Sequence, residues 1–464
     1  MIVEQIYTGC LAQGAYYIAS QGEAVVIDPL REVFPYIDRA EKDGVKIKYI
    51  LETHFHADFV SGHIDLAKKT GATIVFGPYA NPTFDCHIAK NNDILQVGNV
   101  EIKVLHTPGH TMESTTYLLK DENGRDYAIF SGDTLFLGDV GRPDLAQKGA
   151  DLTQEQLAAN LFHSLRTKIM TLADDVIVYP GHGAGSSCGK NMSKETIGTL
   201  GEQKKTNYAL RSDMSESEFV KEVTNGLKAP PAYFPENVRL NKTGYESFYS
   251  VLKRGLTPLN VLNFETAARK KNALIIDTRH QNDFVKGFIP QSIFIGINGN
   301  FAMWVGAIIP DINQKLLIVA DPGKEEEVLT RLSRVGYDQT IGFLEGGFEE
   351  WKAANKPMDS LDQISAQDLS CLKNPLIVDV RKKSEYLSQH VENSLNLELD
   401  YINQKISSVP KDGTFYIHCA SGYRSVIAAS ILKVRGYHNL VDVAGGFSAI
   451  KETSILVSDN DYSC

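Results

Sequence analysis

Four short turns in the first half of this 464-residue chain carry His or Asp directly after an apolar run. IKYILE leads into Thr53-His54-Phe55-His56-Ala57-Asp58, and VEIKVL leads into His106-Thr107-Pro108-Gly109-His110. YAIF leads into Ser131-Gly132-Asp133, and VIVY leads into Pro180-Gly181-His182-Gly183. One such turn is noise, because a lone His is more often a satisfied core or surface residue than a ligand. Four in order are not. If the strands end on one edge of packed sheets, His54, His56, Asp58, His110, Asp133 and His182 converge. Imidazoles and carboxylates gathered in this way are metal ligands. His63 and His87 lack that context and are expected to be packed or solvent-facing.

A second chemistry sits near the other end. The run FYIHC delivers Cys419 to a loop of Ala420, Ser421, Gly422, Tyr423, Arg424 and Ser425, directly ahead of a helical stretch. Ser421 and Gly422 are small enough for the backbone to curl and aim successive N–H groups inward. The helix start adds positive potential and Arg424 a fixed charge. Both favour thiolate over thiol, which makes Cys419 a nucleophile able to accept and donate sulfur. The plain alternative, a structural Cys at a strand end, does not require the arginine or the small residues.

The elements that must hold these groups show a duplication. ALIIDTRHQNDFVKGFIPQSI from Ala273 matches PLIVDVRKKSEYLSQHVENSL from Pro375, with Asp277/Asp379 and Arg279/Arg381 in register. Gly346-Gly347-Phe348 and Gly445-Gly446-Phe447 follow in both copies. The period is that of a whole small domain. Short β-branched runs alternating with helices predict a parallel α/β sheet in each copy. The first copy has Asp321 where the second has Cys419; followed by Pro322 and glutamates, Asp321 reads as a helix N-cap. The two Asp-x-Arg pairs read as structural charge pairs at strand ends away from the thiol. Residues 228–244, rich in Pro and Asn, are the expected boundary with the unrepeated first half.

Length predicts about three domains. The balance of 47 Lys+Arg against 57 Asp+Glu argues against a nucleic-acid groove or an anionic membrane as partner. No apolar run approaches the roughly 18 residues of a membrane span, and no secretory signal is visible at the N-terminus. Six cysteines without framework spacing are expected to be reduced thiols in a cytoplasmic protein.

The Cys419 loop, the Asp-x-Arg pairs and the Gly-Gly-Phe runs resemble the rhodanese family. That resemblance covers about residues 258–464 as two copies, the first without the catalytic cysteine, and implies transfer of sulfane sulfur through a cysteine persulfide. Residues 1–250 resemble the metallo-β-lactamase superfamily, whose signature is T-H-x-H-x-D-H. The chain departs from it at one position, where Phe59 replaces the last His. In binuclear members such as glyoxalase II that His serves the second metal, so a single-metal site is expected. Within such a site His54, His110 and Asp133 would give a two-His, one-carboxylate face with open positions, suited to mononuclear non-haem Fe(II) and less to zinc. His56, Asp58 and His182 then become orienting groups or alternative ligands.

Together the halves resemble the CstB-type fused persulfide dioxygenase–sulfurtransferases of bacteria, on the strength also of Gly141–Leu145 (GRPDL) and Cys188. The resemblance implies an α/β multidomain chain: a metallo-β-lactamase αββα sandwich (1–250), an inactive rhodanese-like domain (258–357) and an active one (362–464). It implies oxidation of a low-molecular-weight thiol persulfide by O₂ to sulfite, with thiosulfate formed by the rhodanese half, in sulfide detoxification. Arg142 is read equally as a substrate contact or a loop salt bridge, and Cys188 as a sulfur relay or an inert buried thiol. A homo-oligomer without nucleic-acid or membrane partners is expected. The alternatives are a glyoxalase II-like thioester hydrolase and a non-enzymatic sulfur-carrying or sensing scaffold.

Overall fold

The computed structural model describes residues 1–145, 151–227, 229–409 and 411–459; Lys228 and Cys464 lie outside them. It divides into two compact units, residues 1–248 with 333–336, and the remainder from 249. Among the described residues no helix is long and apolar enough to cross a membrane. The five described cysteines are free thiols.

In the first unit, strands β1 (Ile2–Thr8), β2 (Gln13–Ser20), β3 (Glu23–Ile27), β4 (Lys46–Leu51), β5 (Thr73–Phe76) and β6 (His87–Ile88) form one sheet in that order. A second sheet contains β7 (Ile94–Val97), β8 (Val100–His106), β9 (Thr115–Lys120), β10 (Asp126–Gly132), β11 (Ile177–Pro180) and β12 (Gly198–Thr199). The side-chain period of two sorts their residues into layers. Tyr16, Ile18, Val25 and Ile27 meet Ile102, Val104, Tyr117, Leu119 and Phe130 in one core between the sheets. The alternate residues Ala15, Tyr17, Ala24 and Val26 pack outward on Tyr36, Ala40 and Leu66 of helices Phe34–Asp43 and His63–Thr70. Likewise Leu118, Ile129 and Val178 pack on Ala158, Leu161 and Phe219 of helices Gln154–Ser164 and Glu216–Thr224. Strands hydrophobic on both faces thus give four layers, helix–sheet–sheet–helix.

The segment read from sequence as a boundary is instead an element of this unit. Residues Phe234–Thr243 form a helix with proline in its first turn. Pro235 stands where a missing N–H costs nothing, so it starts the helix rather than breaking a linker.

The second unit contains two five-stranded parallel sheets of the same order. The first is β13 (Pro258–Leu259), β17 (Thr340–Leu344), β16 (Leu316–Val319), β14 (Leu274–Asp277) and β15 (Ser292–Phe294). The second is β18 (Gln363–Ser365), β23 (Leu440–Ala444), β22 (Phe415–His418), β19 (Leu376–Asp379) and β21 (Leu395–Asn396). Outside these sheets, β20 (Gln389–Val391) of the second copy pairs antiparallel with β24 (Val457–Asp459). The Asp-x-Arg lock is built twice. Arg279 pairs with Asp277 at 2.7 Å, donates to Gly287 O and lies 4.1 Å from the Phe348 ring centroid. Arg381 pairs with Asp379 at 2.7 Å, donates to Gln389 O and lies 3.8 Å from that of Phe447. The charge-pair reading fits this geometry, but its position does not. Parallel pairing sets Asp379 beside His418, the residue before Cys419, so both strands end at the same edge.

Candidate metal centre and thiol loop

His54, His110 and Asp133 come from turns after β4, β8 and β10 and are all buried. Their hydrogen bonds fix which ring nitrogen faces the centre. Asp28 accepts from the Thr53 amide and hydroxyl at 2.8 Å each. With its one proton committed to that carboxylate, Thr53 Oγ1 must accept from His54 Nδ1 at 2.9 Å. His110 Nδ1 lies 2.8 Å from the Arg142 carbonyl, which can only accept. With Nδ1 used as the donor, the nitrogen of each ring that faces the centre is Nε2. Burial, the largest influence, holds the His54 pKa well below the imidazole range.

Both nitrogens face one oxygen. Asp133 Oδ2 lies 3.9 Å from His54 Nε2 and 3.5 Å from His110 Nε2, and among the described residues it is buried without a hydrogen-bond donor. Its other oxygen is 2.8 Å from His182 Nδ1. Burial would raise the Asp133 carboxyl, but His182 outweighs it and holds the group well below the usual carboxylate range. Three electron-rich atoms converging in a buried site repel one another unless a cation sits among them. The donor set fits a metal ion, with each ligand oriented by a partner behind it.

The other sequence-predicted residues take separate places. His182 also reaches Asp58 Oδ2 at 2.8 Å; burial opposes its charge, yet the two carboxylates raise its pKa well above the ordinary value. Asp58, His182 and Cys188 form a second buried group able to hold an ion, and burial pushes the Cys188 thiol well up. His56 turns toward Asp28 at 3.1 Å and Glu52 at 3.6 Å, outside the His54–His110–Asp133 group. Phe59 is fully buried with its ring 4.3 Å from that of His56. The Arg142 side chain pairs bidentately with Asp144 at 2.6 and 2.7 Å, the salt-bridge reading. Its backbone carbonyl holds His110. His63 is buried, 3.7 Å from Glu52, and His87 is exposed.

Sequence reasoning missed Asp28, Glu52 and Asn241. Burial, then Asp28, pushes the Glu52 carboxyl well up, and Ser61 donates to it at 2.6 Å. Asn241, on the helix Phe234–Thr243, donates to His56 O and Phe59 O at 2.8 Å each and accepts from the Ser61 amide at 2.9 Å. It ties the whole metal-binding turn from behind. An Asp before the motif and an Asn in a helix carry no local signal of this kind.

At the second site, Cys419 is buried and accepts from the Gly422 amide at 3.1 Å. Gly422 takes φ 104°, a left-handed conformation that lets the loop turn back onto its own sulfur. The Gly445-Gly446-Phe447 turn fixes the loop backbone: Phe447 N donates to Cys419 O and Ser448 N to Ala420 O. Arg424 is paired bidentately with Glu385 at 2.6 and 2.8 Å. Burial alone would raise Glu385, but Arg424 prevails and lowers its pKa. In the first copy Asp321 is not the predicted N-cap. Its carbonyl closes a turn with Lys324 N, and the helix begins only at Glu325.

The profile of the metallo-beta-lactamase superfamily matches residues 8–182, and that of the rhodanese-like domain matches 263–354 and 363–453. The human mitochondrial persulfide dioxygenase ETHE1 is 31% identical over 205 residues, 44% of this chain and 72% of that protein. A probable hydroxyacylglutathione hydrolase of Schizosaccharomyces pombe is 30% identical over 175 residues, 37% of this chain and 63% of that one. The match thus spans less than two thirds of the yeast protein. A crystal structure of a metallo-beta-lactamase from Staphylococcus aureus subsp. aureus COL aligns with TM-score 0.65 and 33% identity, covering 74% of this chain and 98% of that one.

Proposed function

Because the chain belongs to the metallo-beta-lactamase superfamily and carries two rhodanese-like domains, we propose that it is an iron-dependent persulfide dioxygenase coupled to sulfur transfer. The domain limits 1–250, 258–357 and 362–464 and the site residues belong to this proposal. The observation that carries it is Asp133 Oδ2, buried without a donor and faced by the Nε2 atoms of His54 and His110. With Phe59 at the signature's last His, these three form a face with open positions for a soft sulfur anion and O₂.

Ferrous iron at this face supplies the electron exchange that closed-shell sulfur lacks toward O₂. The chain's own residues do the rest. Thr53 and the Arg142 carbonyl hold the imidazoles, His182 holds one oxygen of Asp133, and buried Phe59 leaves no further ligand at its position. The overall conversion balances as RSSH + O₂ + H₂O → RSH + SO₃²⁻ + 2H⁺. At Cys419 a persulfide anion would give its outer sulfur to sulfite, releasing thiosulfate and the Cys419 thiolate. The test is O₂ consumption with glutathione persulfide by anaerobically purified protein of known iron content. Iron without persulfide-dependent O₂ uptake would overturn the reading.

The Asp58–His182–Cys188 group favours a second reading, a two-metal thioester hydrolase in which Cys188 stands in for the missing imidazole. Two metal ions per chain, with anaerobic hydrolysis of S-lactoylglutathione, would establish it.

A further inference from the structure

The helix Tyr423–Val434 that follows the thiol loop is held by the other copy of the repeat. Its first residue sends its ring into a recess made by residues 294–299. The Tyr423 hydroxyl donates to Gly296 O at 2.6 Å, and the ring meets Phe294 edge-on at 5.7 Å between centroids. The ring covers Gly299 so closely that a β-carbon there would overlap it. Two turns further along the same face, Ser430 Oγ accepts from the Phe294 amide at 3.0 Å. Phe294 ends the edge strand β15, so the helix uses backbone that the sheet leaves unpaired. Arg331 of the first copy braces the recess by donating to Ile297 O at 2.7 Å.

We propose that Tyr423 is a positioning residue for Cys419, and that the cysteine-less copy is half of the sulfur-transfer site because its 294–299 recess seats that tyrosine. Tyr423 follows directly on Gly422, whose amide meets the Cys419 sulfur. Fixing the ring fixes the peptide before it, and with it the N–H that favours the thiolate. The Tyr423 pKa is raised, mainly by burial, so the hydroxyl stays a donor at neutral pH. A first copy that had lost its thiol would be kept for this recess.

The proposal rests on Cys419 as a sulfur carrier, and the experiment separates the two. The full chain is assayed with thiosulfate as donor and cyanide as acceptor, and sulfur loading on Cys419 is read by peptide mass spectrometry. Failure of the wild type to load defeats the carrier reading itself. Given loading, Gly299→Val and Tyr423→Ala lower kcat/KM about tenfold near neutral pH and shift its acid limb up by about one pH unit. Tyr423→Phe, which keeps the ring, has a smaller shift in the same direction and serves if the bulkier changes unfold the unit. Acid limbs that superimpose on the wild type, whether or not the rate falls, would overturn the positioning role.

Discussion

His182 Nδ1 lies 2.8 Å from Asp133 Oδ1, which leaves Asp133 Oδ2 as the free oxygen of the pair. In the proposed site the imidazole is a clamp on a ligand rather than one of the three ligands. His182→Asn is expected to lower iron affinity and persulfide-dependent O₂ uptake by about 10–100-fold without abolishing either. Asp133→Asn is expected to abolish iron retention. Metal analysis after gel filtration checks both, and equal loss in the two variants would make His182 a ligand.

The two chemistries should separate by mutation. His110→Ala removes a ligand and is expected to abolish O₂ uptake while thiosulfate–cyanide sulfur transfer persists. Cys419→Ser is expected to do the reverse. Loss of both activities in either variant would show that the sites do not work independently.

Phe59 stands at the position of the signature's last imidazole, and the preceding residue, Asp58, pairs with His182 at 2.8 Å. Restoring the ring as Phe59→His is expected to raise the metal content from about one toward two per chain. A content that stays at one would mean that something other than Phe59 limits occupancy.

Asn241 satisfies three buried backbone groups of the metal-binding turn. Asn241→Ala strands them and is expected to destabilise the first unit by about 2–4 kcal/mol. Guanidinium unfolding of the metal-free protein measures this. A loss below about 1 kcal/mol would mean that the turn is held without it.

Burial pushes the Asp442 carboxyl up to about 6. Its folded value lies above the unfolded value near 3.9, so the group stabilises the fold at low pH. That contribution is lost as pH rises through about 6. Asp442→Asn is expected to flatten the pH dependence of the second unit's unfolding midpoint between about pH 4 and 6. Parallel profiles for both proteins would refute the shift.

The sequence made the His and Asp turns legible because a strand run and the turn behind it are neighbours along the chain. The duplication was legible for a related reason: matching residues declare matching folds. What escaped depended on distant pairing. Asn241 meets the His56 carbonyl across 185 positions, through backbone atoms that leave no trace in side-chain pattern. The position of Asp379 escaped because the adjacency of β19, which ends at Asp379, and β22, which starts at Phe415, is decided by topology. Asp28 and Glu52 escaped because composition does not reveal which carboxylates are buried.

The twin Asp-x-Arg locks imply that chemistry and scaffolding wore away at different speeds. Strand order, guanidinium pair and the aromatic ring over it recur in the first copy, whose segment after β16 has Asp321 where the second copy has Cys419. The first copy therefore offers the same frame without the nucleophile, and transplanting the short Cys419-bearing segment into it would place two sulfur-carrying loops on one polypeptide.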